Sequence, residues 1–130
     1  MSVVIDGTLG LQVPASSTGN SGAVAWVNFL GTGSSGNATI NASYNVASVL
    51  INSAGDFTIT FTNALIDANY VVVGTSSGIS TNNGIVCAFR NGSTGAYVAP
   101  TSSAFRINTS LTATNAASAT NGGVMIAVFR

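Results

Sequence analysis

The segment Asp56-Phe57-Thr58-Ile59-Thr60-Phe61-Thr62 decides the fold class of this chain. Its apolar side chains alternate with threonines, so an extended backbone would present one apolar face and one hydroxyl-rich face. This period of two residues is typical of an antiparallel strand that is buried on one face and hydrated on the other. Residues 38–44, ATINASY, repeat the pattern. We therefore predict a protein built from half-buried antiparallel strands.

Other short segments are apolar at consecutive positions, so neither of their faces is polar. They are residues 23–27, 70–73, 85–89 and 124–129. Strands of this kind need cover on both sides, from a second sheet or from a neighbouring subunit. No stretch of a dozen residues shows a helical period, and Asn-Gly and other turn sequences separate the apolar segments. The sequence therefore predicts an all-β protein with an antiparallel two-sheet sandwich or jelly-roll-like fold.

The chain is expected to divide into an amino-terminal strand arm with a hinge, residues 1–22, and a β-sandwich domain, residues 23–130. The hinge, residues 14–22, has the sequence PASSTGNSG. The apolar residues of the arm are Val3, Val4, Ile5, Leu9, Leu11 and Val13. Two interpretations remain open. The segment is the first hairpin of the same domain, or it is an assembly arm that adds to the sheet of another subunit.

Charge is scarce, because only 5% of the 130 residues are charged and the chain has no histidine. It also contains no lysine and no glutamate. Without a basic face, nucleic acid is not expected as a partner. A Ser-His-Asp, Cys-His or Ser-Lys arrangement cannot be assembled within one chain. A carboxylate pair would have to come from Asp6, Asp56 and Asp67. We expect no enzyme, no catalytic residue, no cofactor and no metal site, with one alternative: a calcium ion held by one aspartate and by carbonyl oxygens.

The aromatic residues offer the main route to ligand binding, by stacking on sugars. We predict that Trp26 and Tyr44 belong to the core, because both lie on apolar positions of predicted strands. Tyr97, in Gly95-Ala96-Tyr97-Val98, is the best candidate for an exposed ring and for ligand contact. The single cysteine, Cys87, is expected to be a small buried apolar residue.

The longest unbroken apolar run is Val124–Phe129, which is too short to cross a membrane. The amino terminus lacks the cationic start of a signal peptide. We therefore expect no membrane insertion and no signal-directed export.

An ordered series of motifs runs through residues 23–75: AWVNF (25–29), GTG (31–33), ASYNV (42–46), GDFT (55–58) and DANY (67–70). Together with the closing VMIAVFR (124–130), the series resembles a module of tail fibres and related virion proteins of tailed bacteriophages. Residues 76–123 carry no such match. Only about 22 residues precede the module, whereas fibre proteins that carry it usually have a long amino-terminal attachment region.

The resemblance implies a non-enzymatic structural protein, made in the host cytoplasm and exposed on the virion surface as a homotrimer. In the tail-fibre interpretation, loops at 76–84, 92–96 and 109–123 contact a bacterial surface glycan or protein that serves as host receptor. In the alternative, the protein is a capsid decoration or cement protein that stabilises the head shell through its amino-terminal arm. The expected partners are further copies of the chain and a tail protein or the major capsid protein.

Overall fold

A computed structural model of the chain describes residues 4–6, 10–12, 22–77, 84–111 and 122–130. Within these ranges all regular secondary structure is β-strand. The strands are β1 (Val4–Asp6), β2 (Gly10–Gln12), β3 (Ala23–Leu30), β4 (Gly36–Asn37), β5 (Thr39–Tyr44), β6 (Val46–Ser53), β7 (Asp56–Phe61), β8 (Val71–Ser76), β9 (Gly84–Ala88), β10 (Ala104–Leu111) and β11 (Gly123–Phe129).

Two antiparallel sheets form the main body of the protein. One has five strands in the order β4-β6-β7-β10-β9, and the other has four in the order β5-β3-β11-β8. The apolar core lies between them, and the rings of Phe29 on β3 and Phe57 on β7 meet edge to face with centroids 5.1 Å apart. Such edge-to-face pairs are a favoured arrangement of aromatic rings. The predicted all-β, two-sheet antiparallel sandwich is confirmed.

The segment that decides the fold forms β7, at the centre of the five-stranded sheet. Phe57, Ile59 and Phe61 are buried in the core, whereas Thr58 and Thr60 are only partly covered. A tight turn at residues 54–55 joins β6 to β7, with Gly55 at a φ of 74°. Glycine suits this position because a side chain would be strained at positive φ. The alternation therefore lies where the sequence predicts it.

An aromatic cluster fills one end of the core. The rings of Phe61, Tyr70, Phe89 and Phe105 contact one another, with centroids between 5.5 and 6.4 Å apart. The Tyr70 hydroxyl lies 2.9 Å from the carbonyl oxygen of Thr101, to which it donates a hydrogen bond. Burial, and to a smaller degree the neighbouring Tyr97 phenol, raises the pKa of Tyr70 to about 12. Tyr70 thus stays neutral and serves as a structural ring.

A β-bulge corrects the expectation that Tyr44 is in the core. On β3, Phe29 pairs with Ile40 and Asn28 pairs with Ala42, so Asn41 is an extra residue on β5. An extra residue reverses the alternation of the strand beyond it. Ile40 packs against the core, but Tyr44 is 58% exposed on the outside of the sheet.

The prediction that Trp26 is a core residue is also wrong. The buried positions of β3 are the odd-numbered ones, Ala25, Val27 and Phe29, and Trp26 points the opposite way, with 40% of its surface exposed. An unbroken apolar run carries no alternation, and therefore it does not tell which of its two faces turns inward.

The prediction of a loop over residues 109–123 is wrong at its amino-terminal end. Strand β10 continues to Leu111, and the side chains of Thr109 and Ser110 are buried. The Thr109 backbone N–H donates to the carbonyl oxygen of Gly55 at 2.8 Å, which ties this end of β10 to the β6–β7 turn. A polar sequence can thus extend a strand where its groups find hydrogen-bond partners. Residues 112–121 and 78–83 lie outside the described part of the chain.

The amino-terminal segment contains an antiparallel hairpin, in which Ile5 of β1 pairs in register with Leu11 of β2. These two strands form a sheet of their own and join neither sheet of the sandwich. Of the predicted arm residues, Val4, Ile5 and Leu11 lie in this hairpin. Val3, Leu9 and Val13 lie outside the described residues.

Candidate functional site

The outer surface of the four-stranded sheet is largely apolar. Trp26 pairs with Tyr44 on one side and with Ala127 on the other, and Ala127 pairs in turn with Val73. These residues therefore form a row across all four strands. We call this surface the apolar face. Its members are the partly buried Ala127 and the exposed residues Trp26, Leu30, Tyr44, Val71, Val73, Met125 and Phe129.

A shallow groove of about 530 Å³ runs across the centre of the apolar face. It lies between strands β3, β11 and β8. Its lining includes the apolar residues Trp26, Val73, Met125 and Ala127 and the uncharged polar residues Asn28 and Thr75. None of the residues that line it is charged. A connected patch of exposed apolar side chains of this kind usually marks a contact with another molecule.

The outer surface of the five-stranded sheet has a different character. Asn52, Thr58 and Arg106 lie there. The Asn52 Nδ2 donates a hydrogen bond of 2.9 Å to the Thr58 Oγ1, and Asn52 and Arg106 both donate to the Asp56 carboxylate. Leu50 is a large apolar residue exposed on this side, at 44%. The sandwich therefore has one polar and one apolar outer surface.

Asp56 is the centre of a buried polar cluster on the polar side. Its carboxylate accepts two hydrogen bonds from the Arg106 guanidinium, each 2.7 Å long, and one of 2.6 Å from the Gly92 backbone N–H. Asn52 donates a further one at 3.1 Å. Burial alone would raise the pKa of the Asp56 carboxyl, but these hydrogen bonds outweigh it and hold the pKa below its usual value. The carboxylate thus holds the cluster together as the acceptor of four hydrogen bonds.

The second ion pair, between Asp67 and Arg130, is exposed. Its shortest distance, from Nη2 to Oδ2, is 2.6 Å. Hydrogen bonding to Arg130 and to the Asn69 backbone lowers the pKa of Asp67 to about 2. Both aspartates of the sandwich are therefore ion-paired and ionised at neutral pH.

Tyr97, the predicted ligand-contact residue, is 72% exposed, as the sequence suggests. It pairs with Arg90 across a short hairpin loop, in which the Asn91 side chain accepts hydrogen bonds from the backbone N–H groups of Ser93 and Thr94. The ring is accessible for stacking, and the loop around it displays hydroxyl groups. Whether it binds a ligand stays a prediction.

The remaining predictions concern Cys87, a metal site and a membrane span. Cys87 lies in β9 and pairs in register with Asn108, but its side chain lies outside the described part. Over the described ranges, no three metal-ligating side chains come together. Those same ranges contain no helix of the length and apolar character needed to cross a membrane.

The apolar face is the feature that sequence reasoning missed. The sequence does contain a sign of it, because segments that are apolar on both faces need a second cover in addition to the opposite sheet. What the sequence did not reveal is that Trp26 and Tyr44 belong to the outer side. Comparison of the chain with protein-family models, with curated proteins and with solved structures found no match.

Proposed function

We propose that this chain is a non-enzymatic structural protein of a bacteriophage particle, exposed on the particle surface as a homotrimer in a tail-fibre-like role. The observation that carries the assembly role is the contrast between the two outer surfaces of the sandwich. One is covered by hydroxyl, amide and ion-paired groups and suits water, whereas the other exposes Trp26, Val73 and Met125. A surface of the second kind is stable in water chiefly when another chain covers it.

The chemistry of the chain supports a structural role. It contains no histidine, lysine or glutamate, so the usual proton-transfer and nucleophilic groups are missing. The carboxylates of Asp56 and Asp67 are held by Arg106 and Arg130. The ordered AWVNF to DANY series supports the phage assignment by resemblance.

Host attachment is proposed to occur through the hairpin loop that carries Tyr97. Its exposed ring offers a stacking surface for a sugar, and the nearby Ser93 and Thr94 side chains offer uncharged hydrogen-bonding groups. A neutral bacterial surface glycan fits this chemistry, because the loop needs no charge to recognise hydroxyl groups.

A capsid decoration or cement protein is the second candidate. The observation that favours it is the separate β1–β2 hairpin, which is available as an arm because it joins neither sheet of the sandwich. In this role the arm reaches a neighbouring molecule on the head shell, and the sandwich lies on the shell surface.

Immunogold labelling of intact particles tests both candidates with one antibody raised against the purified chain. The fibre role predicts label at the tail tip or along the fibres, and the decoration role predicts uniform label over the head. Absence of label from purified particles, with the antibody shown to bind the folded protein, would contradict both.

A further inference from the structure

Two features of the described chain call for a packing partner. The apolar face has no layer over it, and β1–β2 is a sheet of only two strands. A hairpin of two strands is marginally stable in water unless it packs on something else. We propose that the apolar face of one copy is covered by the β1–β2 hairpin of a second copy of this chain. The proposal rests on the assembly role above and names the surfaces that carry it.

The chemistry of the two surfaces matches. The arm supplies the apolar residues Val4, Ile5 and Leu11 from its strands, and Asp6, at the end of β1, is the one charge between Val4 and Gln12. The apolar face has no charged residue among its members. Burial of a charge without a partner is costly, so an uncharged apolar face favours an occupant that contacts it through apolar side chains.

The size of the face argues for the hairpin and against simple face-to-face pairing. Four strands about 4.8 Å apart and about 24 Å long give a flat area of roughly 450 Å². A standard stable interface buries about 800 Å² on each partner. Two apolar faces placed against each other would bury only this area on each copy, whereas a copy that receives one arm and gives another buries surface in two places.

The covering hairpin belongs to a second copy. In a single chain, 40% of Trp26 and 49% of Val73 are exposed. Ten residues separate Gln12 from Ala23 and span at most about 35 Å when extended. This reach exceeds the length of the face, so an arm can extend to a neighbour.

An arm that docks on a face is a heterologous contact, in which the two partners use different surfaces. Contacts of this type close into rings when the rotation between copies allows it. A ring of three such contacts agrees with the proposed homotrimer. Each copy in it gives one arm and receives one.

The chain carries its own probe of this contact, because Trp26 is its only tryptophan and lies on the apolar face. The experiment follows the mass of the purified full-length protein by sedimentation and its tryptophan emission over a dilution series. We expect an oligomer with blue-shifted emission at high concentration. On dilution, dissociation and a red shift should occur together, because the indole ring becomes exposed to water as the hairpin leaves.

Paired variants separate the two surfaces. The face variant is Val73→Thr with Met125→Gln, and the arm variant is Ile5→Thr with Leu11→Thr. Each should weaken association at least tenfold, on the scale of burying an aliphatic side chain, and shift the emission to the red. Leu50→Thr is the matched control, because Leu50 is exposed to a similar degree on the opposite sheet and should leave mass and emission unchanged.

Mixing the two variants gives the decisive result. An intact arm from the face variant can dock on the intact face of the arm variant, so the mixture should form heterodimers although neither variant associates alone. An arm variant that still associates like the wild type would overturn the proposal in favour of face-to-face contact. Wild-type protein that is monomeric with water-exposed emission at all concentrations would also overturn it. Incorporation of that monomer into particles would leave the proposed virion role intact.

Discussion

At the scale of single residues, Asp56 joins three parts of the sandwich. The carboxylate lies at the start of β7, and it binds Arg106 on β10 and the backbone of Gly92 in the hairpin loop. It is fully buried, whereas 23% of the Arg106 side chain is exposed. A buried carboxylate is stable only with such partners, so the loss of one partner costs more than the pair itself contributes.

Arg106→Gln should lower the free energy of unfolding by about 3 kcal/mol at neutral pH, because the Asp56 carboxylate is left buried without its main partner. Chemical denaturation with urea measures this change. Arg130→Gln, which removes the exposed pair with Asp67, is the control and should have little effect.

The contribution of Asp56 to the pH dependence of stability should have opposite signs in the wild type and in Arg106→Gln. In the wild type the pKa of Asp56 is lowered by folding. The stability that its carboxylate contributes is therefore fully present above the unfolded pKa of about 3.9, and it is lost as the pH falls through the pKa of the folded state. In Arg106→Gln, burial dominates and raises the pKa of Asp56, so protonation relieves the penalty as the pH falls. The stability difference between the two should therefore narrow below about pH 5. A difference that stays constant down to pH 3 would contradict this account of Asp56.

At the scale of elements, Asn45 shows how one residue links several strands. Its φ is 53°, and its side chain bonds to the carbonyl oxygen of Val24 and to both the N–H and the carbonyl oxygen of Asn63. It therefore fixes the β5–β6 turn against the start of β3 and the end of β7.

Asn45→Gly and Asn45→Ala separate the two roles of this residue. Glycine tolerates the positive φ and loses only the side-chain hydrogen bonds, whereas alanine loses the bonds and is also strained. We expect both to destabilise the protein, with alanine worse by about 1 kcal/mol. Urea denaturation measures both values, and equal effects would show that the backbone angle does not matter here.

Gly92 is the residue that attaches the Tyr97 hairpin loop to the sandwich. A Cβ atom at Gly92 would lie 2.8 Å from the Asp56 Cβ atom and 2.9 Å from its Oδ2. Gly92→Ala should therefore displace the loop and break its bond to Asp56. Because a hydrogen bond to a charged group contributes about 1.5–3 kcal/mol, amide hydrogen exchange over residues 91–97 should accelerate by about ten- to a hundredfold. Ser93→Ala, at an exposed neighbouring position, should leave exchange unchanged.

The same scale shows what sequence can and cannot predict. The strict alternation of β7 fixed both its strand character and its inward face, since polar and apolar residues mark the two sides. β3 and β5 were recognisable as strands, but their orientations were not. An apolar run such as AVAWV has no polar face to mark the outside, and the bulge at Asn41 depends on pairing with β3, a contact distant in sequence. The candidate site depends on these two orientations, and for that reason it could not be predicted.

At the scale of the whole molecule, the near absence of charge determines how copies should associate. Ion pairs are screened by salt, but contact between neutral apolar surfaces is not. We therefore expect association to be as tight at about 1 M sodium chloride as at about 0.05 M, and tighter in sulfate, which strengthens apolar burial. Analytical ultracentrifugation in the three buffers measures this. Dissociation at high salt would contradict an interface without charges.

The position of β11 in its sheet sets an order of events during synthesis. This strand is the last of the eleven to be made, yet it lies between β3 and β8 and pairs with both. The five-stranded sheet has all its strands once residue 111 has left the ribosome, whereas the four-stranded sheet stays in two pieces until residues 123–129 follow. Trp26, Met125 and Val73 are therefore brought side by side only after residues 123–129 have been made. A nascent chain that has not yet reached β11 cannot present the complete apolar face, so the proposed association of copies has to wait until β11 has left the ribosome.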